Sequence, residues 1–127
     1  MFQGKSWQVQ LLPEWIGEHD EECSTIYHPN GVGALQISSY VKNGEVTESD
    51  LKNLAQGHIE SGARLVEASS GEFHGFTLAF GVDGEFWQYW YIAKENIALL
   101  VTYNCNEIDL GPEREQVKEI VASLKAT

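Results

Sequence analysis

A chain of 127 residues with 43% hydrophobic and 21% charged positions has the size and make-up of one domain, 1–127, whose core needs no disulfide or metal to hold it. Eight Lys and Arg against nineteen Asp and Glu leave a formal charge of -11, which disfavours nucleic acid and anionic membranes and favours a more basic protein as partner. No apolar run has the length of a bilayer span or the character of a signal-peptide core, so a cytoplasmic protein is expected, and Cys23 and Cys105, in no metal-type spacing, are expected as free thiols.

In chain order, "SWQVQL" alternates Trp7, Val9 and Leu11 with polar residues, the period of a strand with one buried face, and Pro13 ends it. "EHDEEC" (18–23) reads as a charged connection into a strand, "CSTIYH", and "ALQISSYV" (34–41) reads as a strand after the Pro29-Asn30-Gly31 turn, placed to pair with it. Thr47 and Asp50 form a capping box that starts a helix, with Leu51, Leu54, Ala55, His58 and Ile59 as its apolar stripe and Gly62 as its end. "RLVEAS" is a short strand.

"FTLAFGVDGEFWQYWY" (76–91) carries the strongest local signal, two alternating runs joined by Asp83-Gly84, the preferred pair for a type I′ hairpin turn. A two-residue loop puts Val82 opposite Glu85, Phe80 opposite Trp87, Leu78 opposite Tyr89 and Phe76 opposite Tyr91 on one side. On the other side Gly81 meets Phe86, Ala79 meets Gln88, Thr77 meets Trp90 and Gly75 meets Ile92. "IALLVTYNC" (97–105) is apolar to both sides and reads as an interior strand. Pro112 opens a last helix with Val117, Ile120, Val121 and Leu124 as its buried stripe.

Taken together, the leading strand, "LLPEWIG" with its Pro-x-Trp, the acidic loop, "PNGVGALQIS", the Thr-capped helix, the aromatic hairpin, "VTYNC" and a final helix ending "ASL" resemble the Mog1/PsbP-like family over essentially the whole chain. The resemblance implies an α+β fold, an antiparallel sheet of about six or seven strands flanked by helices on both faces, in a family whose members are mostly non-enzymatic. No functional residue transfers. Size and acidity also suit an immunity-type protein or a mobile-cassette orphan.

Two surfaces qualify as candidate sites. The Phe86, Gln88, Trp90 and Tyr103 side of the hairpin, beside Gly75, Thr77, Ala79 and Gly81, forms a trough that either takes a small ligand or is filled by a helix; rings at strand spacing are more often core. The acidic stretch Glu14, Trp15, Glu18, His19, Asp20, Glu21 and Glu22 is the candidate surface for a basic partner. Within it "HDEEC" has the donor types of a metal site, but adjacent ligands in a row seldom converge on one ion, so no metal is expected.

No cofactor motif is present: the "GVG" at 31–33 lacks the further glycine and following helix of a phosphate loop. No His pair has metalloprotease spacing, and adjacent Glu21 and Glu22 would point apart in extended chain. The reading is therefore a non-enzymatic protein-interaction module, with a small-ligand binder as the alternative and a homodimer left open. Both broad sides of the hairpin are expected to lie under helices.

Overall fold

In the computed structural model, which describes residues 1–21 and 23–127, the two-residue hydrophobic period builds two sheets. Strands β1 (Phe2–Gln3), β2 (Trp7–Val9) and β10 (Lys125–Ala126) make the small one, with β2 in the middle. The large sheet comprises β3 (Ile16–His19), β4 (Ser24–Tyr27), β5 (Gly33–Val41), β6 (Val66–Ser70), β7 (Phe73–Val82), β8 (Glu85–Lys94) and β9 (Ile97–Asn106). Its order is β3-β4-β5-β9-β8-β7-β6, antiparallel throughout, which makes β3 and β6 the edges.

The β7–β8 register is the one the Asp83-Gly84 turn dictates, from Val82 opposite Glu85 to Gly75 opposite Ile92. Asp83 (φ 50) and Gly84 (φ 81) both occupy the left-handed region, as a type I′ turn requires. β9 lies between β5 and β8, the interior place its two-sided apolar pattern demands.

One face of the large sheet is sealed. Helix α3 (Pro112–Ala122) lies over it, with Val117, Ile120, Val121 and Leu124 buried as their spacing predicts, and Trp7 and Val9 from the small sheet join the same cluster. Burying a side chain of this size contributes roughly 1.5–3 kcal/mol, so this layer dominates the fold's stability.

The second face is different. Thr47 caps α1 (Glu48–Leu54), and both bonds of the capping box form: Asp50 N–H donates to Thr47 Oγ1 (3.1 Å) and Thr47 N–H donates to Asp50 Oδ2 (2.8 Å). At Ala55 the helix breaks, and a five-residue α2 (Gln56–Glu60) continues without a side-chain cap. The break resets the helical phase. Of the five-residue stripe, Leu51 and Ala55 are buried, His58 is half-buried, and Leu54 and Ile59 are 47% and 38% exposed.

Leu51 and Ala55 form a buried cluster with Phe76, Leu78, Tyr91 and Ala98, and the partly buried Phe80, Tyr89, Ala93 and Leu100 pack against it. Helical residues thus lie on this side of the hairpin too, with His58 of α2 against Phe80 and Tyr89, but the cluster they form includes no residue of β3, β4 or β5. Helices of seven and five residues span about 10 and 8 Å, whereas seven strands span about 29 Å, so most of the second face has no helix above it. The acidic stretch also differs from the sequence reading: Glu18 and His19, expected in a connection, belong to the edge strand Ile16–His19 paired with β4. Charged side chains suit an edge because they discourage further pairing.

Candidate functional site

Phe86, Gln88, Trp90 and Tyr103 all point to the sealed face and are 8%, 6%, 5% and 1% exposed. The trough expected there is closed: Phe86, Trp90 and Tyr103 are buried in one cluster with Val117, Ile120 and Val121 of α3, and the Glu107 side chain takes the space beside Gly81. The Arg114 guanidinium lies 4.8 Å above the Phe86 ring. Glu113, at the start of the same helix and 9% exposed, accepts hydrogen bonds from the Val32 and Gly33 amides (2.9 Å each) and from the Tyr103 hydroxyl (2.8 Å). Burial, and then this bond, raise the Tyr103 hydroxyl far above its ordinary ionisation range.

Gln88 Nε2 donates to Thr77 Oγ1 (3.0 Å), and the Thr77 hydroxyl donates to the Tyr89 carbonyl (2.7 Å). Thr77 Oγ1 therefore has to accept, which fixes the amide's orientation and leaves Gln88 Oε1, like Arg114 Nε, without a hydrogen-bond partner among the described residues. In the sequence Glu113 is simply an acidic residue in the first turn of a helix. Its amide partners lie 80 and 81 residues earlier, so no local pattern reveals the clamp.

The acidic stretch is only partly a surface. Trp15 is buried, edge-on to His28 at 6.0 Å, so it is not available to a partner. Glu14 lies 3.3 Å from His28 Nε2, and Glu18 accepts from the Tyr27 hydroxyl (3.1 Å). His19 Nδ1 is 2.7 Å from Ser24 Oγ, and its ring stacks on Phe2 at 4.6 Å. Asp20 Oδ1 accepts from the Cys23 amide (3.3 Å), and Glu21 is exposed. Glu22 lies outside the described residues.

Among the described residues no three His, Cys, Asp or Glu converge as a metal set would. Cys23, half-buried, and Cys105, buried, are not joined, and burial pushes the Cys105 thiol up.

On the second face Trp87, Tyr89 and Tyr91 step along β8 at centroid separations of 6.1 and 6.0 Å, with Phe80 stacked beside Tyr89 at 5.9 Å. His58 reaches down from α2 to within 4.4 Å of Tyr89. Tyr91 is buried, whereas Phe80, Trp87 and Tyr89 stay partly exposed. Trp87 Nε1 donates to Glu85 Oε2 (3.2 Å), fixing a carboxylate at the indole edge.

Beyond this ridge the register sets Asn104 beside Trp87 and Thr102 beside Tyr89, then Ala34 and Gln36 on β5 and Thr25 on β4. These side chains are shorter than the rings. Thr25, Ala34 and Asn104 floor a hollow of about 560 Å³ bounded by Glu85 and Asn106 at one side and by Tyr27 and His28 at the other. None of the strand residues directed to this face is Lys or Arg.

Burial raises Tyr89, and burial with its neighbours Tyr89 and Tyr40 pushes Tyr91 up to about 12; the hydrogen bond to Glu18 is the first cause that raises Tyr27. A phenol held protonated by folding stabilises the native state fully below its unfolded value near 10 and loses that contribution as pH rises toward 12. Tyrosinate absorbance is therefore expected to appear together with loss of near-ultraviolet circular dichroism. Simple ionisation of these phenols near pH 10 in a still-folded protein would contradict the packing.

No protein-family model and no curated protein matches the sequence. Solved structures do match in fold. A crystal structure from Bacteroides thetaiotaomicron VPI-5482 is similar at TM-score 0.69 and 19% identity, over 95% of this chain and 45% of that one. LpqN of Mycobacterium tuberculosis, involved in cell envelope biogenesis, is similar at TM-score 0.63 and 12% identity, over 95% of this chain and 83% of that one. The chain spans less than half the length of the first. Likeness at these identities defines an α+β fold and carries no activity with it. No helix among the described residues is long and apolar enough to cross a membrane.

Proposed function

We propose that the chain is a non-enzymatic interaction module, Mog1/PsbP-like in kind, that docks a more basic protein on the uncovered part of its large sheet. The observation that carries this reading is the hollow on the second face, bordered by Glu85, Tyr27 and His28 on a face whose strand residues include no Lys or Arg, in a chain of net charge -11. Partly exposed aromatic rings beside polar side chains are the composition of recognition surfaces. Glu14, Glu18, Asp20 and Glu21 at the neighbouring edge extend the negative field that would steer such a partner. Two unjoined thiols fit a reducing compartment.

Partners captured from the source cell are expected to dissociate as salt rises, by about tenfold or more in affinity between low and physiological ionic strength. Affinity that does not fall with salt would remove the electrostatic reading.

A further inference from the structure

Glu85 and Tyr27 border the hollow on opposite sides, and each belongs to a pair in which a carboxylate is hydrogen-bonded to an aromatic residue. On one side Glu85 accepts from the Trp87 indole N–H, and on the other Glu18 accepts from the Tyr27 hydroxyl. Between β8 and β4 lie two strands, so the Trp87 and Tyr27 rings stand three strand spacings apart, about 14 Å, with Glu18 one strand further out on β3. In an extended chain, residues i and i+4 lie about 13 Å apart and point to the same side.

We infer that this face recognises an extended segment of a partner protein bearing two arginines four residues apart, one side chain seated at Trp87–Glu85 and the other at Tyr27–Glu18. Arginine suits each pair better than lysine. Its planar guanidinium stacks on a ring while presenting two parallel N–H groups to a carboxylate, whereas an ammonium offers a single charge point. The floor accommodates the peptide between these anchors because Asn104 and Thr25 in the hollow, with Thr102 and Gln36 in the adjoining row, offer donors and acceptors to a backbone lying across them. The occupant is argued from charge complementarity: the strand residues of this face include Glu18, Glu67 and Glu85 and no cation.

This inference rests on the interaction-module reading and is tested separately from it. The probe is a short serine–glycine peptide with two arginines four residues apart, titrated at about 20 mM salt against the full chain and followed by tryptophan fluorescence and calorimetry. Controls are the isomer with adjacent arginines and the lysine analogue.

The spaced arginine peptide is expected to bind about fivefold or more tighter than either control. Glu85→Gln, Glu18→Gln and Trp87→Leu should each weaken it by about fivefold, while Glu14→Gln and Glu21→Gln change it less than twofold. Glutamine keeps an acceptor for the Trp87 and Tyr27 donors, so folding is retained and is checked by circular dichroism.

Equal affinity for the spaced and adjacent isomers, or equal losses at Glu14 and Glu21, would overturn the two-anchor site and leave a diffuse acidic surface. Absence of binding by all three peptides while a captured partner still dissociates with salt would overturn the arginine assignment but not the module. A neutral sugar or other uncharged small molecule quenching Trp87 where the arginine peptide does not would likewise overturn it.

Discussion

Replacing Glu113 by alanine is expected to cost about 3–5 kcal/mol of folding stability, although the residue lies in neither candidate surface. The carboxylate receives three hydrogen bonds, two from the Val32 and Gly33 amides and one from the Tyr103 hydroxyl in the sealed layer. Alanine leaves these donors without their acceptor, and a donor stranded in or near a core costs about 1–3 kcal/mol. Glu113→Gln should cost less, about 2 kcal/mol, because one oxygen remains to accept. Tyr103→Phe removes one donor and its desolvation together, so combining it with Glu113→Gln should cost less than the sum of the two alone. Urea unfolding of the four proteins measures this directly, and a loss below about 0.5 kcal/mol for Glu113→Ala would mean that the clamp holds nothing.

The second large effect separates the two sides of the hairpin. Trp90, 5% exposed beneath α3, should cost about 3–5 kcal/mol when replaced by alanine, since the transfer of its ring and the cavity left behind both count. Trp87, three residues away on the same strand but on the second face, is partly exposed and should cost only about 1 kcal/mol. Urea midpoints of Trp90→Ala and Trp87→Ala check both values. Comparable losses at the two positions would mean that the second face is packed as tightly as the first and offers no surface for recognition.

How far the fold was legible follows from which interactions are local. The hairpin register depends on Asp83-Gly84 and a two-residue period, both within one short stretch, and every pair falls where those signals place it. The Thr47 cap and the buried stripe of α3 are equally local and equally well read. The uncovered face was not legible, because Leu54 and Ile59 continue the apolar spacing of Leu51 and Ala55. Leu54 lies within α1 at the exposed flank of the stripe, and the break at Ala55, which no proline or capping residue announces, separates Ile59 from the phase of Leu51.

Ile16–His19 was hidden for a different reason: an exposed edge strand has no buried partner to impose alternation, and its charges read as a loop. The hollow combines Glu85, Asn104, Ala34 and Tyr27 from four strands. No spacing along the chain brings them together.

Those observations reduce to one physical statement: the ring-bearing strand β8 turns one row of side chains into a closed interior and the other into a charged, ring-walled surface. The most direct measurement is two-dimensional NMR of the full chain titrated with the spaced arginine peptide. The indole N–H of Trp87 and the amides of Glu85, Asn104, Gln36, Thr25 and Glu18 should shift together, while the Trp90 indole and the Gln88 side-chain amide stay in place. Shifts confined to the exposed acidic turn near Asp20 and Glu21, or centred on Trp90 and Gln88, would contradict it.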